Sequence, residues 1–296
     1  MNSLHQILKG TGVAIITPFT AQKAVDYPAL GRVIEHIISG GAEYIVTLGT
    51  TGETPTLTKD EKIEIVHFTF EKVNNRIPVV VGIGGNNTQS VIDDVQSYPL
   101  EKAAAILSAA PYYNKPSQQG IYEHYKAIAQ SAPKPVILYN VPGRTGRNIT
   151  AATTLRLAHE VPNIAGMKEA SGDFQQCMDI LRDRPSDFLV VSGDDAISLP
   201  LIALGMDGVI SVAANAFPKE FSTMIRYCLD GNFNLAKPLH FKLLQAFDYM
   251  FVENNPAGVK AFMHHLTLIE NSVRLPVVPV STELDQKIQK WLQQFQ

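Results

Sequence analysis

Asn163-Ile164-Ala165-Gly166-Met167-Lys168-Glu169-Ala170-Ser171-Gly172 is a short apolar run that ends on a lysine and breaks into a loop of small residues. Successive side chains of a strand point to opposite faces. Ile164, Gly166 and Lys168 are therefore expected on one face, with Ala165, Met167 and Glu169 on the other. If the first face looks into a barrel, Lys168 is an amine at the rim of an apolar interior. Burial disfavours an ammonium, and a free lysine amine is what Schiff-base chemistry on a ketone requires. The alternative is a lysine that ends a strand and extends its head group to water.

Runs of the same kind recur along the chain. Strands are expected at 13–17, 44–48, 79–83, 104–108, 136–140, 164–168, 188–192 and 208–212. Segments of helical periodicity lie between them, among them 27–39, 59–73, 121–130 and 173–182. Thr58 followed by Glu61 has the pattern of a capping box, and Thr150 is placed to cap the helix that follows it. Eight strand–helix units are the count of an α/β (β/α)8 TIM barrel. A doubly wound sheet would need a nucleotide-binding first turn, where this chain has Thr17-Pro18-Phe19. Three further helical patterns follow, at 232–252, 256–267 and 281–294. The expected organisation is a barrel over 1–230 carrying the site, with C-terminal helices over 231–296 packed on it or on a neighbouring subunit.

The 296 residues carry a formal net charge of −3 and two cysteines, Cys177 and Cys228. That charge gives no bias toward nucleic acid or anionic lipid. No window approaches the length of a membrane span, and residues 1–10 lack a signal-peptide core. A cytoplasmic protein with reduced thiols is expected.

The active site of such a barrel lies at the carboxyl ends of its strands. Those ends carry Gly49-Thr50-Thr51-Gly52-Glu53, Pro111-Tyr112-Tyr113-Asn114, Tyr139-Asn140-Val141-Pro142-Gly143-Arg144-Thr145-Gly146, Lys168, Ser192-Gly193-Asp194-Asp195 and Ile210-Ser211. Singly, each has a plain structural reading: a tight turn, a pair of core aromatics, a solvated arginine. Together they bring an amine, several hydroxyls, a guanidinium and a turn of N–H donors to one end of one barrel. None of the eight histidines stands at a strand end, no zinc spacing appears, and Gly82-Ile83-Gly84-Gly85-Asn86-Asn87 lacks the third glycine of a dinucleotide loop.

In combination and order, these motifs resemble the dihydrodipicolinate synthase family of Schiff-base pyruvate aldolases, from about Gly10 to Arg274-Leu275-Pro276. The resemblance implies a metal- and cofactor-independent lyase that condenses pyruvate with L-aspartate 4-semialdehyde in lysine and diaminopimelate biosynthesis. It implies Lys168 as the imine-forming residue, Tyr139 in proton transfer beside it, and a hydroxyl relay of Thr50, Tyr139 and Tyr113. Tyr113 is implied to reach into a neighbouring subunit's site. Thr51 and its turn are implied to hold the pyruvate carboxylate, Arg144 the carboxylate of the aldehyde, and Gly193 and Ile210 to line the site with backbone. A homotetramer of two tight dimers is implied. Ala110 and Gly82-Ile83-Gly84 depart from the family pattern at positions without an assigned role. A sister pyruvate aldolase, such as N-acetylneuraminate lyase or a 2-keto-3-deoxy sugar acid aldolase, shares the lysine, the tyrosine and the turn. Arg144 favours the synthase, because it offers a partner to a carboxylate. A keto-acid-binding regulator without turnover is the reading from another class.

Overall fold

The computed structural model describes residues 4–295. Eight parallel strands close into one barrel in chain order: β1 Gly10–Ala14, β2 Tyr44–Thr47, β3 Val79–Gly82, β4 Ala105–Ala109, β5 Val136–Asn140, β6 Ile164–Glu169, β7 Leu189–Ser192 and β8 Gly208–Ser211. β1 pairs with both β2 and β8, which completes the ring. The chain is thus a (β/α)8 barrel with helices added at its C-terminal end.

Alternation along the strands divides the core in two. Inward-facing residues Ala14, Tyr44, Val46, Val80, Leu107, Ile137, Tyr139, Val191 and Ile210 pack with Leu8 into an inner cluster. The outward-facing residues join the helices in a larger outer one. Tyr44 occupies the interior only because its neighbour is Gly12: a Cβ there would lie 2.2 Å from the tyrosine ring. Helix Tyr27–Ser39 shows how the outer layer forms. Leu30, Val33, Ile34 and Ile37 recur at helical spacing and are buried, while Asp26 caps the first turn through Ala29 N at 2.9 Å. The capping box at helix Lys59–Val73 is present in both directions, Thr58 N to Glu61 Oε2 at 2.9 Å and Glu61 N to Thr58 Oγ1 at 3.2 Å. Thr150 caps helix Ala151–Glu160 through Thr153 N.

Two expectations are corrected. The first strand is Gly10–Ala14 rather than 13–17. Its glycines are poor strand formers, but the ladder to β8 holds them, with Gly10 opposite Gly208. Past Ala14 and Ile15 the chain leaves the sheet, and Ile16 N donates to Asn215 Oδ1 instead. In β6, Ile164 does not share a face with Lys168. The register with β5 shifts between Val136 and Ile137, so that Val136 stands opposite Ile164 and Ile137 opposite Gly166. The extra residue, Ala165, reverses the alternation. Ile164 therefore joins Met167 in the outer cluster, while Lys168 keeps its inward direction.

The C-terminal helices Phe233–Phe251, Ala257–His265 and Thr282–Phe295 pack on the barrel. Phe217, Phe262, Trp291 and Phe295 form an aromatic knot, with Trp291 and Phe295 stacked at 4.5 Å between centroids. Every residue from Ala257 to Met263 is buried, Lys260 included. Lys260 Nζ donates to Glu53 Oε1 at 2.5 Å and to Ser272 O at 3.0 Å. Glu53 Oε2 accepts from Arg274 N at 3.0 Å. Arg274 in turn grips Glu61 with both terminal guanidinium nitrogens, at 2.6 and 2.8 Å. The turn after β2 is thereby tied to a segment more than 200 residues away.

Breaking a buried ion pair from one side leaves an uncompensated charge, at a cost of roughly 3–5 kcal/mol. Lys260→Met is expected to lose about that much stability by urea denaturation, and Glu53→Gln added to it should recover a large part. Equal losses in the single and double variants would assign the effect to packing rather than to charge.

Candidate active site

Lys168 stands at the carboxyl end of β6, between Tyr139 of β5 and Val191 of β7. It is 4% exposed. Its Nζ lies 4.3 Å from the centre of the Tyr139 ring, and no carboxylate pairs with it among the described residues. The stem of the lysine needs Gly193: a Cβ there would meet Lys168 Cε at 2.8 Å and Ala170 Cβ at 2.6 Å. Gly193 N donates to Glu169 O at 2.7 Å, which fixes the two strand ends together.

Glu169, next in sequence, points the other way into a neutral cage. Its carboxylate accepts from Asn140 Nδ2 at 3.0 and 3.1 Å, Gln176 Nε2 at 2.9 Å and Ser171 N at 2.6 Å. It is 2% exposed. Four hydrogen bonds stand in for a cation, and they hold the β6 end rigid behind the lysine.

Two adjoining cavities open at this end of the barrel. The larger, of about 840 Å3, is lined by Thr50, Thr51, Tyr139, Arg144, Lys168 and Gly193 among others. The smaller, of about 300 Å3, shares Thr50, Tyr139 and Arg144 and runs past Gly82 and Tyr112. Thr50–Gly52 form a single 3-10 turn, whose first N–H groups have no helical acceptor. Gly52 O accepts from Thr17 Oγ1 at 2.7 Å and Gly49 O from Thr54 Oγ1 at 2.9 Å, so the turn is braced from both sides. Arg144 rises from the short helix Pro142–Thr145, and one guanidinium nitrogen reaches Asn255 O at 3.4 Å.

Of the eight site residues expected from the sequence, Lys168, Tyr139, Thr50, Thr51, Arg144 and Gly193 meet at the larger cavity. Ile210 is fully buried in the inner cluster, opposite Gly12 in the β1–β8 ladder. Tyr113 lines neither cavity; it is 87% exposed and has φ +54°. No hydrogen bond joins Thr50 to Tyr139 within the chain, among the described residues. Among the same residues, no group of three or more His, Cys, Asp or Glu side chains is placed to hold a metal ion.

The sequence reading missed Asn255 and Lys260. The C-terminal segment supplies a wall of the larger cavity through Phe247, Asp248, Phe251, Val252 and Asn255, and Asn255 Nδ2 donates to Thr51 Oγ1 at 3.2 Å. The available signal was a lone lysine in the otherwise apolar Ala257-Gly258-Val259-Lys260-Ala261-Phe262-Met263, behind an Asn-Asn-Pro break.

A parallel eight-stranded barrel with a buried, unpaired lysine at a strand end, flanked by hydroxyls and an arginine, defines a class of protein equipped for imine chemistry on a carbonyl compound. The chain belongs to the Dihydrodipicolinate synthetase family, whose model matches residues 7–295. It is 50% identical over 288 residues to the 4-hydroxy-tetrahydrodipicolinate synthase of Parabacteroides distasonis, covering 97% of each chain. The crystal structure of dihydrodipicolinate synthase from Aquifex aeolicus superposes with a TM-score of 0.94 at 39% identity, over 97% of this chain and 98% of that one. That of the Thermotoga maritima enzyme gives 0.94 at 37%, over 98% and 99%.

Gly193→Ala should leave the barrel folded but push the Lys168 stem aside, because the clash falls on the lysine and on the Ala170 side chain. Turnover is expected to fall by about 100-fold or more, since a misplacement of about 1 Å costs that much. Wild-type turnover in a folded Gly193→Ala protein would show that the lysine has room to spare.

Proposed function

We propose that the chain condenses pyruvate with L-aspartate 4-semialdehyde through an imine on Lys168, giving 4-hydroxy-tetrahydrodipicolinate for lysine and diaminopimelate biosynthesis. The observation that carries this reading is the placement of Lys168. The amine is buried, lies against Tyr139 and shares one cavity with Thr50, Thr51 and Arg144. The relatives named as 4-hydroxy-tetrahydrodipicolinate synthases support it over nearly the whole chain.

The Lys168 amine adds to the pyruvate ketone and water leaves, so that the new C=N bond acidifies the adjacent methyl group. Loss of a methyl proton gives an enamine, whose carbon attacks the aldehyde; the adduct's own amine then adds to the imine carbon and displaces the Lys168 amine, which closes the ring and frees the enzyme. Each step moves a proton, and the hydroxyls of Thr50 and Tyr139 are the groups on the cavity wall that carry protons. Thr51 and the N–H groups of its turn receive the keto-acid carboxylate. Arg144 receives the carboxylate of the aldehyde, in a directional, charge-assisted pair.

Tyr113 fits this scheme as a residue given to a second copy of the chain. A tyrosine held in the left-handed region is strained, and it projects into solvent beside a 45% exposed Tyr112. Its hydroxyl completes the relay in the neighbour's site, within a tight dimer of a homotetramer. No helix is long and apolar enough to cross a membrane among the described residues, and the cytoplasm is the compartment proposed.

Borohydride reduction in the presence of pyruvate should add mass to the Lys168 peptide, and Lys168→Ala should lose most turnover. Trapping on another lysine overturns the assignment. Cleavage of N-acetylneuraminate in place of condensation would move the chain to a sister aldolase. Mixed Lys168→Ala and Tyr113→Phe chains should regain activity in hybrid dimers, because one of the two sites then holds both groups. Hybrids that form without recovery would place Tyr113 in its own subunit's site or outside the relay.

A further inference from the structure

Asp195 leaves β7 behind Gly193 and Asp194, is 2% exposed and lines neither cavity. Its Oδ2 accepts from Val212 N at 3.1 Å and from Ala213 N at 2.8 Å. These N–H groups open the 3-10 turn Ala213–Asn215 after β8, and such groups have no helical acceptor. Val212 is held from its other side too, since Asn215 Nδ2 donates to Val212 O at 2.9 Å and to Ala14 O at 2.8 Å. Asp195 Oδ1 is buried and meets no donor among the described residues. Burial pushes the carboxyl up to about 6, so an acid is kept there at a cost.

The weak seam of the barrel explains the placement. β6 and β7 pair from Gly166 opposite Leu189 to Glu169 opposite Ser192. β1 and β8 pair from Gly10 opposite Gly208 to Val13 opposite Ser211. Between β7 and β8 the register is one pair, Ser192 opposite Val209, among the described residues. Carboxylates stitch the seam on both sides of it. Toward the amino ends, Asp207 Oδ2 accepts from Val190 N at 2.8 Å. Toward the carboxyl ends, Asp195 takes the β8 end. That end opens on the larger cavity, where Gly193 comes from the β7 side of the seam and Val212 from the β8 side.

We propose that Asp195 is a positioning residue for the condensation: by accepting the Val212 and Ala213 N–H groups, it holds the β8 side of the cavity wall against the β7 side that supports Lys168. The inference rests on imine chemistry at Lys168. Lys168 itself is fixed without β8, by its register with Tyr139 and by the bond from Gly193 N to Glu169 O at 2.7 Å. Loss of the clamp therefore spares imine formation and loosens the cavity in which the second substrate is placed.

Asp195→Leu removes the acceptor at similar bulk. Per folded molecule, borohydride trapping of pyruvate on Lys168 should keep its wild-type rate. The kcat for condensation with aspartate semialdehyde should fall by roughly 10- to 100-fold, the scale of a misplacement of up to about 1 Å. Asp195→Asn keeps a carbonyl acceptor and should restore most of that turnover. Asp207→Asn weakens the seam at its far end, so it should lower the urea midpoint and leave kcat per folded molecule unchanged. If the leucine variant does not fold, Asp195→Ala withdraws the same acceptor and gives the same reading. Trapping and turnover that fall together, wild-type turnover in the leucine variant, or an asparagine variant as slow as the leucine one overturns the proposal. The wild-type chain separates the two levels of inference. If it neither traps pyruvate on Lys168 nor turns over aspartate semialdehyde, both readings fall. If it does both and the variants show no split, only the role of Asp195 falls.

Discussion

The ion pair between Lys260 and Glu53 is the constraint on which the site depends. Both side chains are fully shielded, at 0% and 1% exposure, and burial pushes the Lys260 ammonium down to about 8 against the pull of Glu53. Taking two charges out of water is expensive, and the expense is offset only when the geometry is close and the other lone pairs and protons are satisfied. Ser272 O and Arg274 N meet that condition here, and the Phe19 ring lies 4.2 Å from the ammonium. Glu53 itself sits at φ +53°, directly after the Thr50–Gly52 turn. A residue in that region persists only where its surroundings over-determine it. The pair thus holds the turn in the shape that exposes its N–H groups and presents Thr50 and Thr51.

The interior of the barrel explains where the cavity comes from. Toward the amino ends of the strands it is filled by Tyr44, Leu189 and Leu8. Toward the carboxyl ends the inward positions become Gly82, Ala109 and Gly193, with Lys168 and Tyr139 as the large exceptions. Small residues leave room at this end, and Lys168 and Tyr139 line the cavity there. Glu169 stiffens the back of the same strand end with hydrogen bonds alone, which leaves the lysine without a carboxylate beside it.

Much of this was legible in the sequence, for physical reasons. Strands buried on both faces give continuous apolar runs, and helices between them give a different period, so the alternation shows through. Thr58 with Glu61 and Thr150 signalled helix starts because capping is local chemistry. Strand ends carry the site in a barrel, so reading only those ends picked out Thr50, Tyr139, Arg144 and Lys168, which the fold brings to one cavity. The failures share a cause: they depend on partners distant in sequence. The bulge at Ala165 exists because of the β5 register, and the glycine-rich first strand because of β8. Asn255 and Lys260 matter through Thr51 and Glu53, 204 and 207 residues away; the lone lysine in an apolar stretch marks a buried charge, but no local pattern names its partner.

Vectorial synthesis gives the long separation of Lys260 from Glu53 a temporal meaning. The last barrel strand ends at Ser211, and the helix bearing Lys260 follows some fifty residues later, ending at His265. A nascent chain whose eight strands have emerged already carries the lysine, the tyrosine and the threonines. The buried carboxylate of Glu53 then has no counter-charge, and Thr51 has no amide to orient it. The strands thus emerge before the site has its full wall, and the late helices bring Asn255 and Lys260 to it.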